Sequence, residues 1–199
     1  MAQAITIDIK PIDSIQRFRD DPLFGITEIF LSDKAFMGII LSSVEVYKLE
    51  CHGALLGYQT QGRIIVEYAI PFQASERKYS EFTPNWRREL KVIELLPQLV
   101  HLQKLGYFHS HPQFGNTRGN PELSDLDKDF MDEVETEIVV AINDAKKTLP
   151  WKEVRNGLSG TIGKYHIKVA GFYKRKDGKI KQYRVVCPYA VGFDYALKA

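Results

Sequence analysis

The feature that most constrains the fold is the order in which short apolar strands and amphipathic helices follow one another. Short β-branched segments predict strands, and apolar residues at helical spacing predict helices between the early strands. Late in the chain, Lys176-Asp177-Gly178 predicts a hairpin, because Asp-Gly favours tight turns. This order predicts an α/β fold, with one mixed, mostly antiparallel β-sheet flanked by two or three helices. The predicted strands cover residues 28–31, 50–57, 63–70, 105–108, 137–143, 167–173 and 180–187, and the predicted helices cover residues 33–48, 86–104 and a stretch that begins at Ser124.

Length limits the number of domains. The chain has 199 residues, enough for one domain and too few for two full ones. It is also too short for a (β/α)₈ barrel, which needs about 250 residues. Residues 1–27 mix charged residues with proline and glycine, so we expect an irregular N-terminal arm there. We expect one domain over residues 28–199, with a possible insertion at residues 144–164, a stretch that reads as irregular.

Composition argues against several classes of protein. Lys plus Arg is 27 and Asp plus Glu is 25, so the formal net charge of +2 gives no electrostatic footprint for nucleic acid. The two cysteines, Cys51 and Cys187, form no disulfide framework, which favours a reducing, cytoplasmic compartment. We expect no signal peptide and no membrane-spanning segment, since no apolar stretch is long enough. The oligomeric state stays open.

Two histidines at the end of a predicted strand indicate a metal centre. His109 and His111 are two residues apart, and strand alternation places both imidazoles on one side of the chain. Asp127 follows in the first turn of the third predicted helix. Two histidines and one carboxylate, with a position left for water, form a donor set typical of catalytic zinc. Ser124-x-x-Asp127 also has an ordinary interpretation as a helix capping box, and the two interpretations are compatible.

The complete set of residues resembles the signature of the JAMM, or MPN+, zinc metalloproteases. The matching elements are Glu50 with Gly53 and Gly57, then Gly106-Tyr-Phe-His-Ser-His-Pro112, then Ser124-x-x-Asp127, in the family's order. The resemblance covers roughly residues 28–143. It implies an MPN-like domain with a cytidine-deaminase-like layer.

The resemblance also implies a role for each matching residue. His109, His111 and Asp127 would bind one Zn²⁺ per chain. Glu50 would hold the attacking water and act as general base, then as proton donor to the leaving amine. Ser124 would stabilise the oxyanion of the tetrahedral intermediate.

The implied activity is hydrolysis of the amide bond after the C-terminal tail of a ubiquitin-like protein, as in a deubiquitinase-like isopeptidase. A processing peptidase for a small sulfur-carrier protein is the alternative within the same enzyme class. A non-catalytic MPN scaffold subunit is a third, less favoured hypothesis, because every residue of the signature is present. Residues 112–123 separate His111 from Ser124 by more residues than is usual in the family.

Overall fold

The computed structural model describes residues 27–73, 76–77, 82–83 and 85–196, so the predicted N-terminal arm lies outside the described residues apart from Thr27. Eleven strands and four helices occur in the described part of the chain. The strands are β1 Glu28–Leu31, β2 His52–Thr60, β3 Arg63–Pro71, β4 Glu76–Arg77, β5 Phe82–Thr83, β6 Gln103–Pro112, β7 Thr136–Asp144, β8 Lys152–Val154, β9 Gly157–Ile162, β10 Tyr165–Lys174 and β11 Ile180–Val186. The helices are α1 Asp33–Glu45, α2 Trp86–Val100, α3 Asp125–Phe130 and α4 Pro188–Ala196.

Local sequence accounts for where the helices begin. The Ser32 hydroxyl accepts a hydrogen bond from the backbone N–H of Ala35 at 3.1 Å and so caps α1. One face of α1 is apolar and buries Phe36, Ile39 and Ile40. None of the described helices is both long and apolar enough to cross a membrane.

The strands form a closed barrel. The large sheet has the order β11-β1-β3-β2-β6-β7-β10-β9-β8, and β11 also pairs with β10. This extra pairing closes seven strands into a ring, from which β9 and β8 extend beyond β10. β1 runs parallel to both of its neighbours, and β6 runs parallel to β7, while the other pairs of this sheet are antiparallel.

The predicted fold class is therefore wrong. The molecule is mostly β, and its closed barrel with few helices is not the MPN-like α/β layer that we expected. The seven strands of the ring were predicted from their apolar patterns, whereas β4, β5, β8 and β9 were not. Closure was not, because it depends on β1 pairing with β11 from the far end of the chain, and local periodicity carries no information about partners.

The prediction of an irregular stretch at residues 144–164 also needs correction. This stretch contains β8 and β9, and β9 pairs antiparallel with β10 from Gly157↔Ala170 to Ile162↔Tyr165. Gly157 and Gly160 led us to expect a loop, but both lie in close contact with their neighbours. A Cβ atom on Gly160 would overlap the Trp151 ring. Glycine is used here for close packing rather than for a turn.

Alternation along β6 and β7 separates an interior face from an exterior face. Phe108 on β6 and Ile138 and Val140 on β7 are fully buried in the main hydrophobic core. Their neighbours along each strand, including His109 and Glu137, point to the opposite side. The candidate site residues on β6 therefore lie on the outer face of the barrel.

Candidate metal centre

Strand β6 presents the two histidines. β6 extends to Pro112, so His109 and His111 lie within the strand, beyond the predicted bounds of residues 105–108. Both flanks of the strand are paired: His109 lies opposite His52 on β2 and beside Val139 on β7. This double pairing fixes the backbone under the imidazoles. The His109 side chain is buried and that of His111 is half-buried.

Helix α3 supplies the carboxylate. The backbone N–H of Ser124 donates to Oδ2 of Asp127 at 2.7 Å, and the backbone N–H of Asp127 donates to the Ser124 hydroxyl at 3.1 Å. These reciprocal bonds form a capping box, which the sequence predicted as one of two compatible interpretations. The cap holds the Asp127 carboxylate at a defined position at the start of α3.

The three side chains each direct one atom toward a common point. Nε2 of His109 lies 3.0 Å from Nε2 of His111. Oδ2 of Asp127 lies 3.5 Å from Nε2 of His109 and 3.7 Å from Nε2 of His111. Two atoms bound to a tetrahedral ion at about 2.0–2.1 Å are about 3.3–3.4 Å apart. The group His109, His111 and Asp127 could therefore hold a metal ion, and its nitrogen and oxygen donors suit several divalent metals.

The remaining ring nitrogens of both histidines have acceptors. Nδ1 of His109 lies 2.7 Å from Oε1 of Glu137, and Nδ1 of His111 lies 3.0 Å from the backbone oxygen of Asn120. A carboxylate and a carbonyl can only accept, so each Nδ1 carries the proton. Each Nε2 is thereby directed toward the shared point, as is usual for histidines that bind metals.

Electrostatics at the three candidate ligands favour a cation at their centre. Burial opposes protonation of His109, but its contacts with Asp127 and Glu137 outweigh burial and raise its pKa to about 10. Burial alone would raise the pKa of Asp127, yet hydrogen bonds from His109 and Ser124 hold it well below its usual value. Burial and the charge on His109 lower the pKa of His111. A metal ion would take the place of the proton on Nε2 of His109.

Glu50 lies two residues before β2, and the charges of His109 and Asp127 act on its carboxyl. Burial raises the pKa of its carboxyl to about 7, with the charge on His109 opposing the rise and Asp127 adding to it. The carboxyl is half-buried. A carboxyl with a pKa near neutrality can both take and return a proton in that pH range.

Ser110 ties the segment that carries Glu50 to the histidine strand. The Ser110 hydroxyl accepts a hydrogen bond from the backbone N–H of Cys51 at 2.9 Å, and the Ser110 N–H donates to the Cys51 carbonyl at 3.0 Å. Both residues are buried. The residue after Glu50 is thus fixed to the residue between His109 and His111.

The loop over residues 113–123 approaches the site through a glycine. A Cβ atom on Gly119 would overlap the carbonyl oxygen of His111, so no side chain fits at this position without a backbone shift. The Gly119 carbonyl accepts a hydrogen bond from the Asn143 amide at 3.1 Å. This close approach brings the next residue, Asn120, against the His111 ring.

Sequence reasoning missed three residues that support the candidate ligands. Glu137 was assigned only to a strand. Its contact with His109 depends on the pairing of β6 with β7, in which Glu137 lies beside Tyr107, two residues before His109. Asn120 acts through its backbone and leaves no side-chain signal. Ser110 was visible within His-Ser-His, but its bond to Cys51 depends on the β2–β6 alignment.

Ser124, in turn, is exposed, and its hydroxyl oxygen caps α3. A role toward an oxyanion remains a prediction for this residue. The hydroxyl proton is a separate donor, so capping through the oxygen does not use it up.

Comparison with known proteins identifies a fold relative. No family model matches the chain, and no curated protein matches it. Among solved structures, the chain is similar to the solution structure of protein DSY2949 from Desulfitobacterium hafniense, with a TM-score of 0.56. The two share 19% sequence identity, and the match covers 80% of this chain and 92% of that chain. At this identity the likeness concerns the fold alone.

Proposed function

We propose that the protein is a zinc-dependent peptidase that hydrolyses the amide bond after the C-terminal tail of a ubiquitin-like protein. The observation that carries the proposal is the triangle of His109, His111 and Asp127, to whose strand Ser110 ties the segment that carries Glu50. The residues that resemble the JAMM signature support it. The barrel fold lends the proposal no support, because it is not the MPN-like α/β layer that this resemblance implied.

Each residue has a defined task in this reaction. When bound, a zinc ion polarises the scissile carbonyl and lowers the pKa of water. Glu50 takes one proton from the water as its oxygen attacks the carbonyl carbon. The Ser124 hydroxyl donates toward the developing oxyanion. Glu50 then passes its proton to the amide nitrogen as the C–N bond breaks, which releases a carboxylic acid and an amine. The acid then loses its proton to the amine, so the final products are a carboxylate and an ammonium group.

The substrate class is tested by intact-mass detection of cleavage. The panel contains ubiquitin-like and sulfur-carrier β-grasp proteins, each with a C-terminal extension or a lysine-linked partner, incubated with zinc and with chelator. We expect chelator-sensitive cleavage after the tail, and the member that is cut distinguishes deconjugation from sulfur-carrier processing. Failure of zinc-loaded protein to cut any member would overturn the proposal and favour the scaffold hypothesis.

Glu50→Gln tests the proton-transfer role. Gln keeps the size of the side chain but cannot take up the proton, so we expect cleavage to fall by about 10²–10⁴-fold. Zinc content, measured by elemental analysis, should stay at one ion per chain. Glu45→Gln, which changes an exposed acid at the end of α1, is the matched control. Full activity in Glu50→Gln would contradict the role.

A further inference from the structure

Helix α3 carries two large apolar side chains that the fold does not use. Leu126 is 54% exposed and Phe130 is 64% exposed, and both belong to the helix that holds Asp127. They are four residues apart, so they lie on one face of the helix. None of the six residues of α3 is buried.

Other contacts hold α3 in place. Leu123, just before the helix, and Met131, just after it, are buried together with Val139, Ala170 and Phe172 on the outside of the barrel. The capping box fixes the first turn. Leu126 and Phe130 therefore contribute little to folding, and solvation of their apolar surface is unfavourable until something covers it.

The surroundings of these two side chains are acidic. Five exposed carboxylates flank them along the chain. The cations there are Lys128, which is paired with Asp125 at 2.8 Å, and Lys174 of β10, whose ammonium donates to the Met131 carbonyl at 2.6 Å. The chain as a whole has a formal net charge of +2, so this region differs in sign from the rest of the molecule. The five carboxylates belong to Glu122, Asp125, Asp129, Asp132 and Glu133.

We propose that Leu126 and Phe130, with these acids as a rim, form a docking surface for the folded part of the substrate protein. The occupant is a surface with an apolar centre and lysine or arginine side chains around it, since that chemistry complements both the centre and the rim. That the occupant is the substrate rests on the proposed function. The chemistry that the surface recognises, an apolar centre with basic side chains around it, does not. We call Leu126, Phe130 and the five acids the α3 patch.

The position of the α3 patch fits a substrate that is held near its cleaved tail. Asp127 lies next to Leu126 and within one helical turn of Phe130, a distance of about 5 Å along the helix axis. An extended tail advances about 3.3 Å per residue, so a few residues reach from a domain on the α3 patch to the metal centre. Docking there would raise the local concentration of the scissile bond without taking part in the chemistry.

A peptide probe tests the recognition chemistry without any activity. The probe is a fluorescent peptide of alternating lysine and leucine, and the matched peptide has glutamate in place of lysine. Fluorescence anisotropy, with chelator present, reports binding to the wild-type chain and to the Leu126→Ser/Phe130→Ser double variant. Leu41→Ser is the control variant, because Leu41 is 65% exposed on α1, far along the chain from this site.

We expect the lysine peptide to bind the wild-type chain and the control variant, and to bind the double variant about tenfold more weakly or worse. Binding should weaken as salt is raised, because exposed charge pairs are screened. No binding to the wild-type chain, equal binding to the double variant, or preference for the glutamate peptide would each overturn the proposal.

Kinetics separate failure of docking from failure of the proposed function. For any β-grasp substrate that the wild-type chain cleaves, Asp129→Lys/Asp132→Lys should raise KM about tenfold at low salt and leave kcat unchanged. A short peptide that spans only the cleaved tail should be processed equally by both chains. An unchanged KM on the whole substrate would overturn the docking surface while leaving the peptidase assignment intact. Absence of cleavage by the wild-type chain would overturn the peptidase assignment, and the peptide probe would still decide the docking chemistry.

Discussion

At the scale of single residues, His109 is the most constrained side chain of the site. It contacts a carboxylate on each ring nitrogen, Glu137 on Nδ1 and Asp127 on Nε2. Of the two ring nitrogens, only Nε2 faces the other candidate metal ligands. Glu137 fixes the tautomer and the orientation of the ring, and burial raises the pKa of its own carboxyl.

Replacement of Glu137 tests this supporting role. Glu137→Gln keeps an acceptor beside Nδ1 but removes the charge, so we expect metal affinity to fall about 10–100-fold. Competition with a chromophoric chelator measures the affinity. Glu133→Gln, which changes an exposed acid four residues earlier, should leave it unchanged. Equal affinities for the wild-type chain and Glu137→Gln would contradict the assignment.

Ser110 holds the backbone of Cys51, the residue after Glu50. Ser110→Ala removes the acceptor for the Cys51 N–H, so the segment with Glu50 loses its fixed position. We expect kcat on the cleaved substrate to fall about 10–100-fold, because small misplacements of a catalytic group are costly. Metal affinity and KM should stay within twofold of the wild-type values, which a purely structural defect would not spare. Ser110→Thr restores the hydroxyl and should recover most of kcat.

At the scale of elements, the loop over residues 113–123 belongs to the candidate metal centre because its backbone supports His111. Gly119→Ala would force the loop away from the His111 carbonyl and would withdraw the Asn120 oxygen from Nδ1. We expect metal affinity to fall about tenfold or more.

Gly115→Ala is the control within the same loop. Its Cβ would have no neighbour within 4 Å, although its φ of +54° imposes a backbone cost of about 1 kcal/mol. Chelator competition should therefore give a normal affinity for this variant. Equal metal affinities for Gly119→Ala and Gly115→Ala would contradict the role of the loop in supporting His111.

At the scale of the whole molecule, the barrel core and the candidate metal centre lie on opposite faces of β6. Ile29 on β1 is fully buried inside the barrel, on the strand that lies between β3 and β11. Ile29→Ala should reduce the free energy of unfolding by about 2–5 kcal/mol, through lost apolar burial and an unfilled cavity. Metal affinity measured under native conditions should not change.

Urea denaturation measures this loss, with Leu41→Ala as the control. Leu41 is exposed, so its truncation should change the free energy of unfolding by no more than about 0.5 kcal/mol. A large fall in metal affinity in Ile29→Ala would show that the interior and exterior faces are coupled, contrary to the separation that alternation implies.

Sequence alone was informative where the physics is local. The strand at Glu28–Leu31 and the hairpin of β10 and β11 follow from apolar patterns and from an Asp-Gly turn, and the structure confirms them. The capping box at Ser124 and Asp127 follows from spacing. Helical periodicity groups Leu126 and Phe130 on one face but does not indicate what covers that face, so their exposure was not predictable.

The sequence by itself indicated the candidate donor set, since the spacing of His109 and His111 and the place of Asp127 at a capped helix start are short-range patterns. Tertiary structure alone decided three further features: closure of the barrel through β11, placement of Glu137 behind His109, and exposure of Leu126 and Phe130. Each depends on which segments meet across long stretches of chain. That choice reflects the total burial and backbone pairing of the whole molecule, to which no local pattern has access.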